Sequence, residues 1–360
     1  MLMSRESLSC HEARSALAEI KSLRTEFERV FDDAVRTGEL AQARTLRSNL
    51  EARVQELRDG VISPIERKLD LKHQYESDRQ ILEGAGILEQ LPSGESGITG
   101  IDGKPYPMPS YQDVRHLLRE KRNALEKKAD QGFTELLIVP FGMKLDDLVE
   151  KYKELLIKHH AEGKLFATKE KDADPDEPLD LDINQPVWAW SEYQDADVNG
   201  KLVYDPKEFS ENHGGKTKTE ILAIAQGKSS PAWRILMVEA DPSIPRAGKG
   251  KSAHGRPRIE ADKTPNEYIE AIGKGEYQNE SGMTPEEWLI QAITTLEEKN
   301  QVIDDWQGKG SIAYNTGAYF PAAGYVPGAC WFRGDRQADL GGSGPAARGG
   351  SFGARSAVRV

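Results

Sequence analysis

The sequence GYVPGACWFRGDRQADLGGSGPAARGGSFGARSAVRV, residues 324–360, differs in composition from the rest of the chain. It holds nine of the 33 glycines, and no Lys or Glu occurs from Ser311 to the C-terminus, although 30% of the chain is charged. Such a composition is typical of a disordered tail. The aromatic residues Trp331 and Phe332 argue against a tail, because so much apolar surface favours a packed structure.

The stretch ends in a regular alternation, which also argues for order. Two sets of residues take alternate positions: Ala354, Ser356, Val358 and Val360 in one set, and Arg355, Ala357 and Arg359 in the other. This period of two predicts a half-buried strand, and a terminus that pairs within a sheet is ordered. We therefore interpret residues 324–360 as short strands joined by Gly-rich loops on the surface of a domain, where binding residues are usually found.

Four segments of the C-terminal region carry a distinctive pattern. They read Gly-Ala-Tyr-Phe-Pro at 317–321, Gly-Tyr-Val-Pro-x-Ala-x-Trp-x-Arg at 324–333, Arg-Gln-Ala-x-Leu at 336–340, and Gly-Ala-Arg-x-Ala-Val-Arg-Val at 353–360. The pattern resembles that of the target proteins of diversity-generating retroelements, and the match runs from about Pro186 to the end of the chain. This family has a C-type-lectin-like domain, and error-prone reverse transcription rewrites its C-terminal residues at template adenines.

The resemblance implies that the positions between the fixed residues bind a ligand that varies from copy to copy. Changing the adenines of an asparagine codon can produce every residue found at these positions, and no Asn follows Asn315. The implied ligand-binding positions are Cys330, Phe332, Asp335, Asp339, Gly341, Gly342, Ser343, Ala347, Gly349, Gly350 and Ser351. We expect their side chains to face outward, towards a protein or another macromolecule that the sequence does not specify.

The remaining large residues of the stretch are expected to form its framework. We predict that Trp331 packs inside the domain rather than binding a ligand. The arginines Arg333, Arg336, Arg355 and Arg359 are predicted to hold the loops by binding backbone carbonyls or acidic partners such as Asp304 and Asp305.

Composition limits the other functional classes. The net charge of −11 disfavours nucleic acid or an anionic membrane as a general partner. No apolar run approaches the length of a transmembrane helix, and the N-terminus lacks the apolar core of a signal peptide, so we expect a cytoplasmic protein. The chain has only two cysteines, Cys10 and Cys330, at opposite ends of the sequence, which excludes a disulfide framework and a four-cysteine zinc site.

We predict an α+β fold class in four segments. They are an N-terminal helical, coiled-coil-like region at 1–83, a small α/β connector at 84–165, an acidic linker at 166–184, and a C-type-lectin-like domain at 185–360 with its variable region at about 324–360. In the first segment, apolar residues recur at spacings of three and four, as from Leu17 to Ala34. Residues 4–83 are therefore expected to self-associate or to pack on a partner chain, unless they form a self-contained bundle.

Local patterns predict several further elements. We expect helices over about 111–131, 145–161 and 285–304, and buried strands over 133–140 and 233–239. Ser63, Thr264 and Thr284 are each followed by Pro and, three positions on, by Glu, which predicts helix starts at all three.

Metal and anion sites are less favoured alternatives. Asp195, Asp197 and Asn199 resemble half of a calcium loop, but the twelfth position is Pro206 where a bidentate Glu belongs. The basic segment from Lys249 to Arg258 lacks the spacing of a P-loop and is predicted to be a solvated loop. No cofactor is expected.

Two functional classes remain open. Formylglycine-generating oxidases share the lectin-like fold, but they require a cysteine pair near the C-terminus where this chain has Cys330 alone, so we expect no enzyme activity. The favoured function is non-catalytic binding and display of a variable surface. The alternative is a structural component of a phage or cell-surface assembly whose lectin-like domain only packs.

Overall fold

A computed structural model describes residues 18, 21–22, 24–31, 47, 50, 63–168, 177–225, 230–306 and 308–360. The chain divides after Arg67 into two compact units, Met1–Arg67 and Lys68–Val360. None of the helices in the described ranges combines the length and apolar character needed to span a membrane. The second unit holds every strand of the described residues.

From residue 63 onward, the described α-helices are α1 Pro64–Lys68, α2 Leu71–Gly84, α3 Tyr111–Glu120, α4 Arg122–Asp130, α5 Leu145–Ala161, α6 Lys218–Ile224, α7 Pro265–Ala271 and α8 Pro285–Lys299. The strands are β1 Glu89–Gln90, β2 Ser96–Thr99, β3 Pro105–Pro107, β4 Phe133–Val139, β5 Val187–Ala189, β6 Val203–Tyr204, β7 Arg234–Glu239, β8 Ser252–Ala253, β9 Arg256–Pro257, β10 Ser281–Gly282, β11 Ile312–Tyr314, β12 Ala318–Tyr319, β13 Val326–Phe332, β14 Gln337–Ser343, β15 Phe352–Ala354 and β16 Ser356–Arg359. The fold is therefore α+β.

Much of the predicted N-terminal helical region falls outside the described residues. Residues 24–31 are helical, and the rings of Phe27 and Phe31 lie 5.6 Å apart. The predicted start at Ser63 is confirmed, because the Glu66 amide donates to its hydroxyl oxygen over 3.4 Å. Most of the apolar residues that repeat at spacings of three and four lie outside the described residues, so the coiled coil and the self-association through residues 4–83 stay predictions.

Two sheets organise the second unit. One has the strand order β10-β16-β7-β4, and the other has the order β15-β11-β13-β14-β5. Helix α8 packs against β4 of the first sheet and β13 of the second, and also against α2 and α5. Its apolar residues Trp288, Leu289 and Ile293 are fully buried, so α8 is the core element that both sheets share.

The helix starts follow their sequence signals, whereas two helix lengths do not. Thr264 and Thr284 each form the predicted capping box with the Glu three residues later. The predicted helix 285–304 is too long, because Asn300 adopts a left-handed conformation (φ 56°) and ends α8. The predicted helix 111–131 is interrupted at Lys121, which separates α3 from α4.

The predicted connector does not stand apart from the C-terminal region. Strand β4 pairs with β7 from Phe133↔Glu239 to Val139↔Arg234, so residues 84–165 supply an edge strand to a sheet of the C-terminal region. This differs from the predicted segmentation, because a strand that is buried in the sequence pattern needs a partner, and that partner lies about 100 residues further along the chain. Residues 68–360 therefore form one unit.

The C-terminus is ordered, but it forms two strands rather than one half-buried strand. Strand β15 runs parallel to β11 in the second sheet, and β16 pairs with β10 and β7 in the first. Both alternating sets are covered, since Arg355 and Ala357 are buried along with Ala354 and Val358. The chain crosses from one sheet to the other at Arg355, which explains why both alternating sets are buried as far as Val358, whereas Arg359 and Val360 are partly exposed.

Candidate functional site

The predicted variable stretch begins with a long antiparallel hairpin. Strands β13 and β14 pair without interruption from Val326↔Ser343 to Phe332↔Gln337. Strand β5 lies parallel on the other side of β14, with Asp339 opposite Trp188. Directly paired residues share a face of a sheet, so Phe332, Asp339 and Gly341 lie on one face, and Trp331 and Leu340 lie on the other.

Ten of the eleven predicted ligand-binding positions are at least partly exposed. The exposed positions are Asp335, Gly342, Ala347 and Gly350. The partly exposed positions are Phe332, Asp339, Gly341, Ser343, Gly349 and Ser351. The exception is Cys330, which is 3% exposed although it pairs with the partly exposed Asp339 on the same face of the hairpin. The expectation that Cys330 faces outward is therefore wrong.

The loop between β14 and β15 is held through its backbone. The Tyr314 hydroxyl donates to the Ala347 carbonyl over 3.1 Å, and the Arg246 guanidinium donates to the Gly350 carbonyl over 2.8 Å. The Ile312 amide donates to the Ser351 carbonyl over 2.7 Å. Because every residue type carries a backbone carbonyl, these contacts do not depend on which side chains occupy the loop.

The backbone also permits other residues at the glycines among the eleven predicted ligand-binding positions, which we call the changeable positions after the role that the resemblance implies. None of Gly341, Gly342, Gly349 and Gly350 adopts the left-handed conformation that favours glycine. A Cβ at Gly350 would meet open space, whereas one at Gly349 would lie 2.7 Å from the Phe352 ring. Larger side chains therefore fit directly at Gly350, and at Gly349 only if the Phe352 ring shifts.

The fixed arginines behave as predicted. Arg333 binds Asp305 through two hydrogen bonds of 2.7 and 2.6 Å, and Arg355 binds Asp304 through two of 2.8 and 2.7 Å. Arg336 and Arg359 pair with Asp180 and Asp205. These contacts tie the variable stretch to acidic residues from earlier parts of the chain.

The buried tryptophans complete this framework. Trp331 is 1% exposed, which confirms that it packs inside the domain. The Trp288 indole of α8 donates to the Asp304 carboxylate over 2.7 Å, on the oxygen that Arg355 also binds. Helix α8, the Asp304 loop and the crossover at Arg355 are thus joined at a single buried carboxylate.

Exposed aromatic residues flank the hairpin, and sequence analysis did not assign them a role. Trp188 on β5 is 36% exposed and Tyr325 is 42% exposed. The Trp190 ring lies 5.4 Å from the Tyr325 ring and faces the position of Gly342, where a Cβ would be 3.1 Å away. Trp188 and Trp190 alternate with smaller residues, a pattern that indicates a strand. Residues 187–190 pair with β14, and this pairing places both tryptophans beside changeable positions.

Asp339 has an unusual environment on this face. Burial, together with repulsion from the Asp335 carboxylate, raises the pKa of Asp339 to about 6. Within the described ranges, no cation contributes an opposing effect. The thiol pKa of its neighbour Cys330 lies well above the ordinary range, chiefly because the thiol is buried, so the thiol stays protonated and is a poor nucleophile.

The alternative metal and anion sites are occupied by internal contacts. The Asp197 carboxylate is buried and accepts from the Leu145 amide over 2.9 Å and from the Lys218 ammonium over 2.6 Å. No group of three or more His, Cys, Asp or Glu side chains suited to a metal ion occurs in the part of the chain that the structure describes.

The basic segment at 249–258 differs from the predicted solvated loop. It contains the β8–β9 hairpin, and the Arg256 side chain is 1% exposed. Its guanidinium binds the Glu280 carboxylate over 2.7 and 2.8 Å, and it also contacts Glu239. The prediction was wrong for Arg256 because both acidic partners come from distant parts of the sequence.

A cleft of about 460 Å³ lies elsewhere, between α2, β4, β7 and α8. It is acidic, and burial and the nearby Glu298 raise the pKa of Asp78 well above its usual range. Burial also raises the pKa of Glu135. None of the changeable positions lines this cleft, so the cleft and the hairpin surface are separate features.

The chain matches no protein-family model, and no curated protein and no solved structure is significantly similar to it. Its likeness to the retroelement targets therefore depends on the C-terminal sequence pattern.

Proposed function

We propose that this chain is a non-catalytic display protein, a target of a diversity-generating retroelement, whose lectin-like C-terminal region binds a variable protein partner. The observation that carries the proposal is the separation of roles in the C-terminal stretch. Trp331 and Arg355 are buried, and the fixed arginines are held through their side chains, whereas ten of the eleven changeable positions are at least partly exposed. A surface that is rewritten repeatedly requires this separation, because each new side chain must leave the fold intact.

The anchoring of the loop supports the same proposal. The contacts of Ala347, Gly350 and Ser351 with the rest of the unit use their backbone carbonyls. Substitutions at exposed loop positions that contribute no side-chain contact usually change the free energy of unfolding by no more than about 0.5 kcal/mol. A fixed packing surface would more often be held through specific side chains.

The absence of catalysis in the proposal rests on the chemistry of Cys330. Its buried thiol has a raised pKa, which disfavours the thiolate that redox and nucleophilic reactions need. The other cysteine of the chain, Cys10, lies outside the described residues.

The proposal is tested first in the DNA beside the coding sequence. We expect a reverse-transcriptase gene and a near-copy of the segment encoding residues 324–360, with adenines at the codons for the eleven changeable positions. Copies of the protein from independent isolates should differ at those codons and agree at Trp331, Arg333 and Arg355. A locus without such a copy, with isolates that are identical throughout the stretch, would favour the structural alternative.

A display experiment tests binding itself. Two libraries should be compared, one randomised at the exposed changeable positions and one randomised at the buried hairpin residues Ala329, Trp331, Ala338 and Leu340. We expect the first library to retain folded, protease-resistant members and to yield binders against arbitrary proteins, and the second to lose most folded members. Equal losses of folded protein in both libraries would contradict the proposed division of roles.

A further inference from the structure

A slot lies on the hairpin face between Trp188 and Asp339. The two residues are direct neighbours on the paired strands β5 and β14. A Cβ at Gly341 would lie 3.1 Å from the Asp339 Oδ1 atom and 3.8 Å from the Trp188 Cζ3 atom. The carboxylate and the indole therefore flank the space that the missing side chain of Gly341 leaves open.

The charges around the slot indicate what fits there. Asp339 is partly buried, and no cation in the described ranges offsets its charge. Withdrawing a carboxylate from water without a partner is costly. The neighbouring Asp335 is also acidic, so the local field attracts a cation and repels an anion.

The Trp188 indole narrows the range of cations that would fit the slot. An indole face attracts cations, and guanidinium groups stack on it while donating hydrogen bonds in the plane of the group. A divalent metal ion is a poorer fit, because calcium requires six to eight oxygen ligands and the slot presents the Asp339 carboxylate against an aromatic ring.

We propose that the slot between Trp188 and Asp339 binds an arginine side chain of a protein partner, with the guanidinium stacked on the indole and hydrogen-bonded to the carboxylate. This inference rests on the proposed function, since it takes the hairpin face as the binding surface. It adds that the binding chemistry combines a tryptophan from outside the rewritten stretch with the changeable residues Asp339 and Gly341.

The experiment uses the full-length chain and a fluorescein-labelled peptide in which arginines are spaced by glycine. Fluorescence anisotropy should show binding, and the same peptide with citrulline in place of arginine should bind about tenfold more weakly or worse, because citrulline keeps the shape and loses the charge. A lysine peptide should also bind more weakly, because an ammonium group lacks the planar fork.

Variants locate the site. Asp339→Asn and Trp188→Phe should each weaken the arginine peptide, the first by about tenfold. Glu211→Gln removes one negative charge from an exposed loop position and serves as the matched control, which should leave the affinity unchanged. Melting curves of each variant establish that it is folded, and the citrulline comparison on the natural chain tests the proposal even if a variant is not.

The affinity should also depend on pH. Asp339 titrates near pH 6, so the arginine peptide should bind more weakly below that pH. The other groups near its carboxylate are Cys330 on β13, Tyr193 in the 3-10 turn at 191–193, and Asp335 in the hairpin turn. Burial raises the pKa values of the Cys330 thiol and the Tyr193 hydroxyl, so both stay neutral near pH 6 and do not contribute to the expected change.

Three results would overturn this inference: equal affinity for the arginine and citrulline peptides, equal affinity for arginine and lysine peptides, or an Asp339→Asn variant that binds as the natural chain does. Its failure is distinguishable from failure of the proposed function. If the retroelement copy is found and the exposed-position library yields binders, the arginine slot alone is wrong. If no such copy and no binders are found, the proposed function is wrong.

Discussion

Residues 344–351 and residues 352–359 are neighbours in the sequence, yet the fold holds them in opposite ways. The first range is fixed largely through backbone carbonyls, and the second is fixed by sheet pairing and by the buried Arg355 side chain. Two arginines show the contrast: Arg348 pairs with Glu267 at the surface, and Arg355 pairs with Asp304 in the interior. A chain can change residues freely only where its fold does not depend on their side chains.

The largest expected effect separates two adjacent residues of β13. Trp331→Ala should lower the free energy of unfolding by about 3–5 kcal/mol, because it leaves a large cavity in the core. Phe332→Ala should cost much less, since Phe332 is only partly buried and contacts the Trp306 ring at the surface. Chemical denaturation of both variants measures the difference. Equal losses would show that both faces of the hairpin belong to the core.

The two arginines provide the next comparison. Arg355→Ala leaves the Asp304 carboxylate buried without its cation, and loss of one partner of a buried pair typically costs about 3–5 kcal/mol. Arg348→Ala also breaks an arginine–carboxylate pair, but that pair is exposed and its loss should leave the melting temperature unchanged within error. Thermal melts of the two variants side by side test this. A destabilised Arg348→Ala variant would mean that the loop relies on side chains after all.

Glycines on either side of the boundary offer a smaller and finer test. A Cβ at Gly353 would lie 2.4 Å from the Ile244 Cγ2 atom, so Gly353→Ala should overpack the core and cost about 1–3 kcal/mol. At Gly350 no atom lies within 4 Å of the added Cβ, and both Gly350→Ala and Gly350→Tyr should stay within about 0.5 kcal/mol. Denaturation midpoints decide, and a large loss at Gly350 would refute the variable-loop interpretation.

Sequence patterns predicted the local elements of this fold well. The helix at 145–161 and the strand beginning at Phe133 have their predicted positions, because apolar periodicity is a short-range signal. The framework role of Trp331 and the Asp304 and Asp305 partners of the arginines were also predicted. The exposed character of most changeable positions followed from the sequence pattern.

Long-range pairing was not predictable in the same way. Nothing local in Phe133–Val139 indicates that it pairs with Arg234–Glu239, and nothing local in Arg256 indicates its distant partner Glu280. The pairing of Cys330 with Asp339 depends on the register of the β13–β14 hairpin, and the slot at Asp339 depends on its register with Trp188. These features arise from register and strand order, which a single sequence does not specify.

The smallest expected effect concerns the charge on Asp339. It is a gain in stability, whereas the effects predicted above are losses. Its pKa is about 6 in the folded chain, against an ordinary value of 3.8. For an acid whose pKa rises on folding, the folded state holds its proton more tightly, so this group lowers stability as the pH rises from about 4 to 6 and keeps that cost above pH 6.

Asp339→Asn removes the charge, and the variant should therefore melt at a higher temperature than the natural chain at about pH 8. The gain should shrink below pH 6 and disappear near pH 4, because the natural carboxyl is then protonated as well. Melts across this range measure the difference between the two proteins, in which the titration of all other groups largely cancels. A variant that is less stable at about pH 8, or a gain that does not change with pH, would mean that Asp339 stabilises the fold and belongs with the framework rather than with the changeable surface.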